Sequence, residues 1–168
     1  MFKLIAHYRN KSKPVPAEVF RSLRYFVAFG FGSGAFPIAP GTAGTVVAAL
    51  FYLGLRYLPL GWYLAFTLVF SLFSIWLLDQ ISREIKVHDH PGMCLDEFPG
   101  FFVTMINAPW GFWWVVFGFL LFRLFDIWKP WPIRWLDEHV HGGFGMVIDD
   151  VAAGFFAMIV MQVCAVVF

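Results

Sequence analysis

The sequence has little charge, and almost none of it is acidic before residue 79. Charged residues make up 14% of the 168 residues, against roughly a quarter in a typical soluble domain. Glu18 is the only acid that precedes Asp79. With 60% hydrophobic residues and a mean hydropathy of +0.72, the chain has more apolar surface than one small core can bury. The excess predicts contact with lipid.

Several common site motifs are also missing. Cys94 and Cys164 form no zinc or redox motif, and no Cys-x5-Arg phosphatase loop follows Cys94. The sequence has neither a G-x-x-x-x-G-K-[ST] phosphate loop nor a G-x-S-x-G nucleophile motif. No cleavable signal peptide is predicted. Covalent catalysis by serine or cysteine therefore has no support in the sequence.

Basic residues are concentrated at the start of the chain. Within residues 1–24 lie Lys3, Arg9, Lys11, Lys13, Arg21 and Arg24. No nucleic-acid-binding fold signature accompanies them, so we do not expect a nucleic-acid partner. The positive-inside rule instead predicts a basic cytoplasmic or interfacial segment at 1–24, ahead of a membrane-embedded domain at 25–168.

Apolar runs predict an all-α, multi-pass membrane protein with about three full spans. The runs are 43–58, 62–78 and 151–168. A further run, 98–122, is interrupted at 107–111 by "NAPWG" and can be a single span or a helical hairpin. We favour a short or re-entrant hairpin, because an arm of about ten residues cannot cross a ~30 Å hydrocarbon core and because a hairpin returns the flanking acids to one side.

The acids that adjoin these apolar runs form three groups. Asp96 and Glu97 precede the hairpin, Asp126 follows it, and Asp149 and Asp150 open the last span. The predicted topology brings all five to the inner membrane surface. Carboxylates gathered at low dielectric repel one another unless a cation joins them, and hard oxygen ligands suit Mg²⁺. These acids are therefore the predicted catalytic and metal-binding residues.

Nearby cations can bind a phosphate beside that metal. Arg123 lies three residues before Asp126 and shares its helix face. Lys129 and Arg134 flank the stiff "KPWPIR" segment. We predict that all three bind phosphate oxygens, the alternative being that Lys129 and Arg134 only anchor the chain at the membrane. Asp137 and Glu138 are predicted to be bystanders.

A glycine-rich segment is a weaker candidate for anion binding. "GFGSGAFPIAPGTAGT", at 30–45, leads into a helix start near Thr42, where free backbone N–H groups favour an anion. Ser33 and Thr42 are its predicted phosphate ligands, and tight helix packing is the alternative. A second cluster, "HGGFG" at 141–145, is predicted to be a flexible turn. His88 and His90 leave a zinc site open as a further alternative.

Three sequence blocks together resemble one known family. They are "GFGSGAFPIAPGTAGT", "VHDHPGMCLDEFPG" and "FRLFDIWKPWPIRWLDEHVHGGFGMVIDDVAAG". In order and spacing they are similar to the phosphatidylglycerophosphatase A family over roughly residues 25–158. The resemblance implies an all-helical, membrane-embedded, Mg²⁺-dependent enzyme. It would convert phosphatidylglycerophosphate to phosphatidylglycerol and inorganic phosphate during phospholipid biosynthesis.

The resemblance also assigns residues. The family's two acidic pairs fall on Asp96–Glu97 and Asp149–Asp150, and its R-x-x-D-x-x-K-P element falls on Arg123 to Pro130. The implied substrate is a phospholipid in the inner leaflet of the bacterial inner membrane, with the active site on the cytoplasmic side. Attack by water and a phospho-aspartyl intermediate both remain open, as does the oligomeric state. The alternative function is an ion-coupled transporter or channel with a surface acidic site.

Overall fold

The chain folds into a bundle of helices packed around its long C-terminal helix. The structure is a computed structural model that describes residues 17–87 and 90–167. Its helices are α1 (Leu23–Ala28), α2 (Pro40–Leu55), α3 (Leu60–Ile85), α4 (Glu97–Thr104), α5 (Phe112–Trp128), α6 (Ile133–His139) and α7 (Gly142–Val167). These ranges contain no strand, so the predicted all-α class is confirmed. Most of the predicted basic segment at 1–24 lies outside the described residues, and its separation from 25–168 stays a prediction.

Two of the described helices are long and apolar enough to cross a membrane. They are α3 and α7, with 26 residues each, which corresponds to about 39 Å at 1.5 Å per residue. Large apolar side chains such as Leu68 and Val163 are exposed on them. Helix α2 is apolar but has only 16 residues. Two full spans are thus supported, fewer than the three predicted.

The last helix begins earlier than predicted. It starts at Gly142 instead of residue 151, so the glycine cluster at 141–145 is largely helical and not a flexible turn. The reason lies in α3: Asp79 Oδ1 accepts a hydrogen bond of 3.3 Å from the Gly143 backbone N–H. A carboxylate is favourable at this positive end of a helix. Asp79 also forms an ion pair of 2.7 Å with Arg83, four residues further along α3.

The run at 98–122 is a hairpin and not a single span. Helices α4 and α5 are separated by a turn at 105–111. The turn reaches the connection between α2 and α3, where the Tyr57 and Trp110 ring centroids are 5.5 Å apart. The hairpin therefore reaches the end of the bundle opposite the acidic residues. The seven residues of the turn extend it beyond the eight residues of α4.

Helices α4 and α7 cross where each has a glycine. A Cβ at Gly100 would lie 2.6 Å from the backbone oxygen of Asp150, and a Cβ at Gly154 would overlap the Gly100 carbonyl. Thr104 Oγ1 donates a hydrogen bond of 3.0 Å to the Gly100 carbonyl. Small residues permit such close helix contact within a membrane. The crossing fixes the start of α4 beside the acidic turn of α7.

Candidate active site

One polar cavity lies at the end of the bundle where α4 begins and α5 ends. Its volume is about 220 Å³. Six carboxylates and one cation line it: Asp96, Glu97, Asp126, Asp137, Asp149, Asp150 and Lys129. The structure thus brings together the five acids that the sequence singled out, from three separate places in the chain. Asp137, which was predicted to be a bystander, also lines the cavity.

Arg123 joins the hairpin's two arms at this cavity. Its Nη1 atom lies 2.6 Å from Asp126 Oδ2 and 3.2 Å from Glu97 Oε2. The shared helix face of Arg123 and Asp126 is as predicted from their spacing. All three side chains are at most 15% exposed, so this ion-pair network is shielded from solvent and strongly coupled.

Lys129 forms a second network on the other side of the cavity. It ends α5 with a left-handed backbone, φ +44°, and its Nζ lies 2.5 Å from Asp149 Oδ2 and 2.8 Å from Asp137 Oδ1. Burial lowers the pKa of Lys129, but the negative charges of Asp149 and Asp150 outweigh this effect and raise it above its ordinary value. Lys129 is therefore a fixed positive charge in the cavity.

Glu97 is buried where negative charge is in excess. Burial raises its pKa to about 8, since the attraction of Arg123 and a hydrogen bond from Thr45 only partly oppose desolvation, while the charge of Asp126 adds to it. Six carboxylates face only two cations around this cavity. The site thus holds more negative charge than its own residues neutralise, and a further cation would stabilise the ionised carboxylates.

The glycine-rich segment contributes to the site through residues other than those predicted. The Thr45 hydroxyl donates a hydrogen bond to Glu97 Oε2, and a Cβ at Gly41 would lie 3.3 Å from Arg123 Nη2. Ser33 and Thr42 instead face a separate apolar groove. Their predicted role in phosphate binding is therefore not supported. Tight packing, the alternative, describes this segment better.

Arg134 does not reach the cavity. Its side chain is 74% exposed and lies 3.4 Å from Glu138, four residues on along α6. Helix α6 turns this face toward solvent, so the arrangement gives the predicted phosphate contact of Arg134 no support. Glu138 also lies outside the cavity lining, and its role as a bystander stays a prediction.

His90 is a lining residue that the sequence considered only for zinc. It is 3% exposed, lines the acidic cavity, and its Nδ1 accepts a hydrogen bond of 3.1 Å from the Gly92 backbone N–H. An accepting Nδ1 places the ring proton on Nε2. His88 and Asp89, the rest of that motif, lie outside the described residues, so the zinc alternative gains no support.

The donor atoms of the cavity suit a hard divalent cation. They are carboxylate oxygens, and Asp149 Oδ1 is buried without a hydrogen-bond partner. Among the described residues, no three His, Cys, Asp or Glu side chains form a ready-made metal site. That is compatible with Mg²⁺, which commonly takes one or two carboxylates and completes its shell with water and substrate phosphate.

The fold and cavity define a class: a helical, membrane-associated protein with a recessed cavity lined by carboxylates. Within that class, the chain belongs to the phosphatidylglycerophosphatase A family, whose model matches residues 26–165. The resemblance noted from the three sequence blocks is therefore confirmed. The family match and the two apolar helices together indicate membrane association.

Individual relatives agree with this assignment. Phosphatidylglycerophosphatase A of Escherichia coli is 43% identical over 77% of this chain and 76% of its own length. The Haemophilus influenzae protein of the same name is 40% identical, over 82% and 85%. A Bacteroides thetaiotaomicron relative, 35% identical over 84% and 92%, is provisionally named a phosphatidylinositol-3-phosphatase. No solved structure gives a significant match. These comparisons lend no support to a transporter or channel.

Proposed function

We propose that this protein hydrolyses phosphatidylglycerophosphate to phosphatidylglycerol and inorganic phosphate in phospholipid biosynthesis. The observation that carries the proposal is the carboxylate cavity with Lys129 in its lining and Arg123 paired beside it with Glu97 and Asp126, in a chain that shares 43% identity with a protein named phosphatidylglycerophosphatase A. A phosphate monoester carries two negative charges near neutral pH. Lys129 lines the cavity and can donate to phosphate oxygens, while a bound cation would offset the excess carboxylate charge.

The reaction breaks the bond between phosphorus and the glycerol oxygen and forms one between phosphorus and a water oxygen. A cavity carboxylate accepts a proton from the attacking water, and the departing glycerol oxygen gains a proton to become a hydroxyl. Lys129 orients the phosphate and balances charge on its non-bridging oxygens. Because the cavity is recessed, the headgroup leaves bulk water as it binds, which strengthens these interactions.

We further propose that the enzyme depends on Mg²⁺. Asp149, with its open oxygen, and Asp150 are the first candidates to hold the ion, with Asp96, Glu97 and Asp126 forming the rest of the acidic set. When bound, Mg²⁺ supplies positive charge that polarises the phosphoryl group. The protein's own residues position the ester beside it.

A phospho-aspartyl intermediate is the rival to direct attack by water. Asp149 and Asp150 both line the cavity and either carboxylate has the chemistry of a nucleophile. Direct attack predicts that borohydride quenching during turnover traps no reduced aspartate. A borohydride-trapped residue at position 149 or 150, found by peptide mass spectrometry, would establish the covalent route instead.

The charge distribution favours an active site on the cytoplasmic side of the bacterial inner membrane. Arg83, Lys129 and Arg134 lie at the end of the bundle that holds the acidic cavity, and Arg56 is the only Lys or Arg in the connection at the other end. Basic flanks are retained in the cytoplasm. The substrate headgroup would then be presented by the inner leaflet.

Substrate selection can be tested with purified protein in detergent. We expect phosphate release from phosphatidylglycerophosphate to exceed release from phosphatidylinositol 3-phosphate and from glycerol 3-phosphate, which lacks the lipid. Chelation should abolish release, and added Mg²⁺ should restore it. Faster turnover of phosphatidylinositol 3-phosphate would replace the proposed substrate, and release that ignores chelation would overturn the metal assignment.

A further inference from the structure

A second polar cavity lies at the opposite end of the bundle from the acidic one. Its volume is about 160 Å³, and its lining includes Arg56, Tyr63, Asn107 and Trp110. Helix α2 connects the two ends: Thr45, near its start, contacts Glu97, whereas Arg56 directly follows its last residue. The second cavity lies where the α2–α3 and α4–α5 connections meet. Nothing in the proposed reaction uses it.

Arg56 is held in place by aromatic rings. Its guanidinium carbon lies 4.1 Å from the Trp110 ring centroid and 5.8 Å from that of Tyr52. A guanidinium over an aromatic ring gains a cation–π attraction, and its N–H groups can still donate hydrogen bonds. The Arg56 Nε atom is buried without a hydrogen-bond partner. Within residues 17–87 and 90–167, no carboxylate forms an ion pair with it.

The surrounding chain offers no negative charge to neutralise this arginine. The sequence has no acid in 19–78, 98–125 or 151–168, the stretches that include α2, most of α3, the hairpin turn and the second half of α7. Every described carboxylate of the acidic cavity belongs to the other end. A buried, oriented N–H donor on an uncompensated cation is a site for an anion.

The environment of the cavity indicates which anion. Around it, Tyr57, Trp62, Phe112 and Trp113 are exposed by 69% to 76%, and Trp and Tyr are enriched at membrane–water interfaces. An arginine fork matches phosphate geometry. We propose that this cavity binds the phosphate group of an anionic phospholipid in the leaflet opposite the acidic cavity, with the lipid's chains along the apolar helix surfaces.

The test uses native mass spectrometry of the full-length protein in dodecyl maltoside, titrated with dioleoyl-phosphatidylglycerol. Arg56→Met removes the cation but keeps an aliphatic side chain against Trp110. Arg56→Lys keeps the charge without the planar fork. Arg83→Met is the matched control, since Arg83 is exposed and lies at the other end of the bundle. Separate titrations with inorganic phosphate and with dioleoylglycerol distinguish a free phosphate site and a purely apolar site.

We expect the wild type and Arg83→Met to bind one more phosphatidylglycerol molecule than Arg56→Met binds at the same lipid concentration. The affinity of Arg56→Met for that additional molecule should be lower by roughly tenfold or more. The affinity of Arg56→Lys should fall between those of the wild type and Arg56→Met. This variant keeps the test informative if Arg56→Met does not fold. Dioleoylglycerol should give no such adduct. Equal lipid stoichiometry and affinity in all four proteins would overturn the proposal and leave Arg56 as a clamp between the two turns. If millimolar inorganic phosphate displaces the adduct, and phosphate and phosphatidylglycerol bind with equal affinity, the lipid assignment would be overturned.

Discussion

Neutralising Asp150 should make the protein more stable and inactive at the same time. Asp150 is 5% exposed, and it shares the cavity with the carboxylates of Asp96, Asp126 and Asp149. Asparagine has nearly the same volume and removes the charge. Because an incompletely paired buried ion costs several kcal/mol, we expect Asp150→Asn to raise the free energy of unfolding by about 1–2 kcal/mol in chelator.

That free energy is measurable as a melting temperature. For a chain of this length, 1 kcal/mol corresponds to about 2–4 °C, so the expected rise is about 2–8 °C by scanning fluorimetry in detergent with chelator. Saturating Mg²⁺, at 100 times its Kd, should stabilise the wild type by about 2.7 kcal/mol and Asp150→Asn by much less. The order of stability should therefore reverse between chelator and Mg²⁺.

Glu138→Gln is the matched control for this experiment. Glu138 is also acidic and close to the site in sequence, but it is outside the cavity and pairs with the exposed Arg134. It should change neither the melting temperature in chelator nor the response to Mg²⁺. The reasoning fails if Asp150→Asn is less stable than the wild type in chelator, or if it responds to Mg²⁺ as fully as the wild type does.

Three further predictions concern the helix crossing, Lys129 and Arg134. Gly154→Ala places a methyl group against the α4 backbone, so it should lower the free energy of unfolding by about 1–3 kcal/mol and reduce phosphate release. The control Gly61→Ala meets nothing within 4 Å and should be neutral or stabilising by up to about 1 kcal/mol. Equal melting temperatures for the two variants would contradict the close contact. Lys129→Met leaves the buried Asp149 carboxylate without its cation, so we expect the free energy of unfolding to fall by about 3 kcal/mol and activity to be lost. Near-normal turnover would remove Lys129 from phosphate binding. Arg134→Ala should keep at least half of the activity because its side chain is exposed, and complete loss would restore its predicted phosphate contact.

The position of the acids was predictable because apolar runs and charge are read directly from the sequence. The break at 107–111 indicated a hairpin, and a hairpin brings Asp96 and Asp126 to one side. The same reasoning located Asp149 and Asp150 near the end of a span. These inferences need only the length that a helix requires to cross lipid. They do not depend on side-chain packing.

Features that depend on contacts between distant segments were not predicted. The early start of α7 depends on Asp79, which lies on another helix and accepts a hydrogen bond from Gly143. Thr45 and Asp137 reach the cavity only through tertiary packing. The crossing of α4 and α7 did have a sequence signal. Gly100 follows Asp96 by four residues, and Gly154 follows Asp150 by four residues. This spacing places each glycine one helical turn beyond an acid of the cavity.

Phosphate release from phosphatidylglycerophosphate shows whether the acidic cavity hydrolyses this lipid. Wild type and Asp149→Asn, purified identically in detergent, are compared in Mg²⁺ at equal concentrations, after both are shown to be folded by their melting temperatures. We expect sustained release by the wild type and at least a 100-fold lower rate for Asp149→Asn, the order of loss on removing one transition-state interaction in a shielded site. No release by the wild type, or equal release by the two proteins, would contradict it.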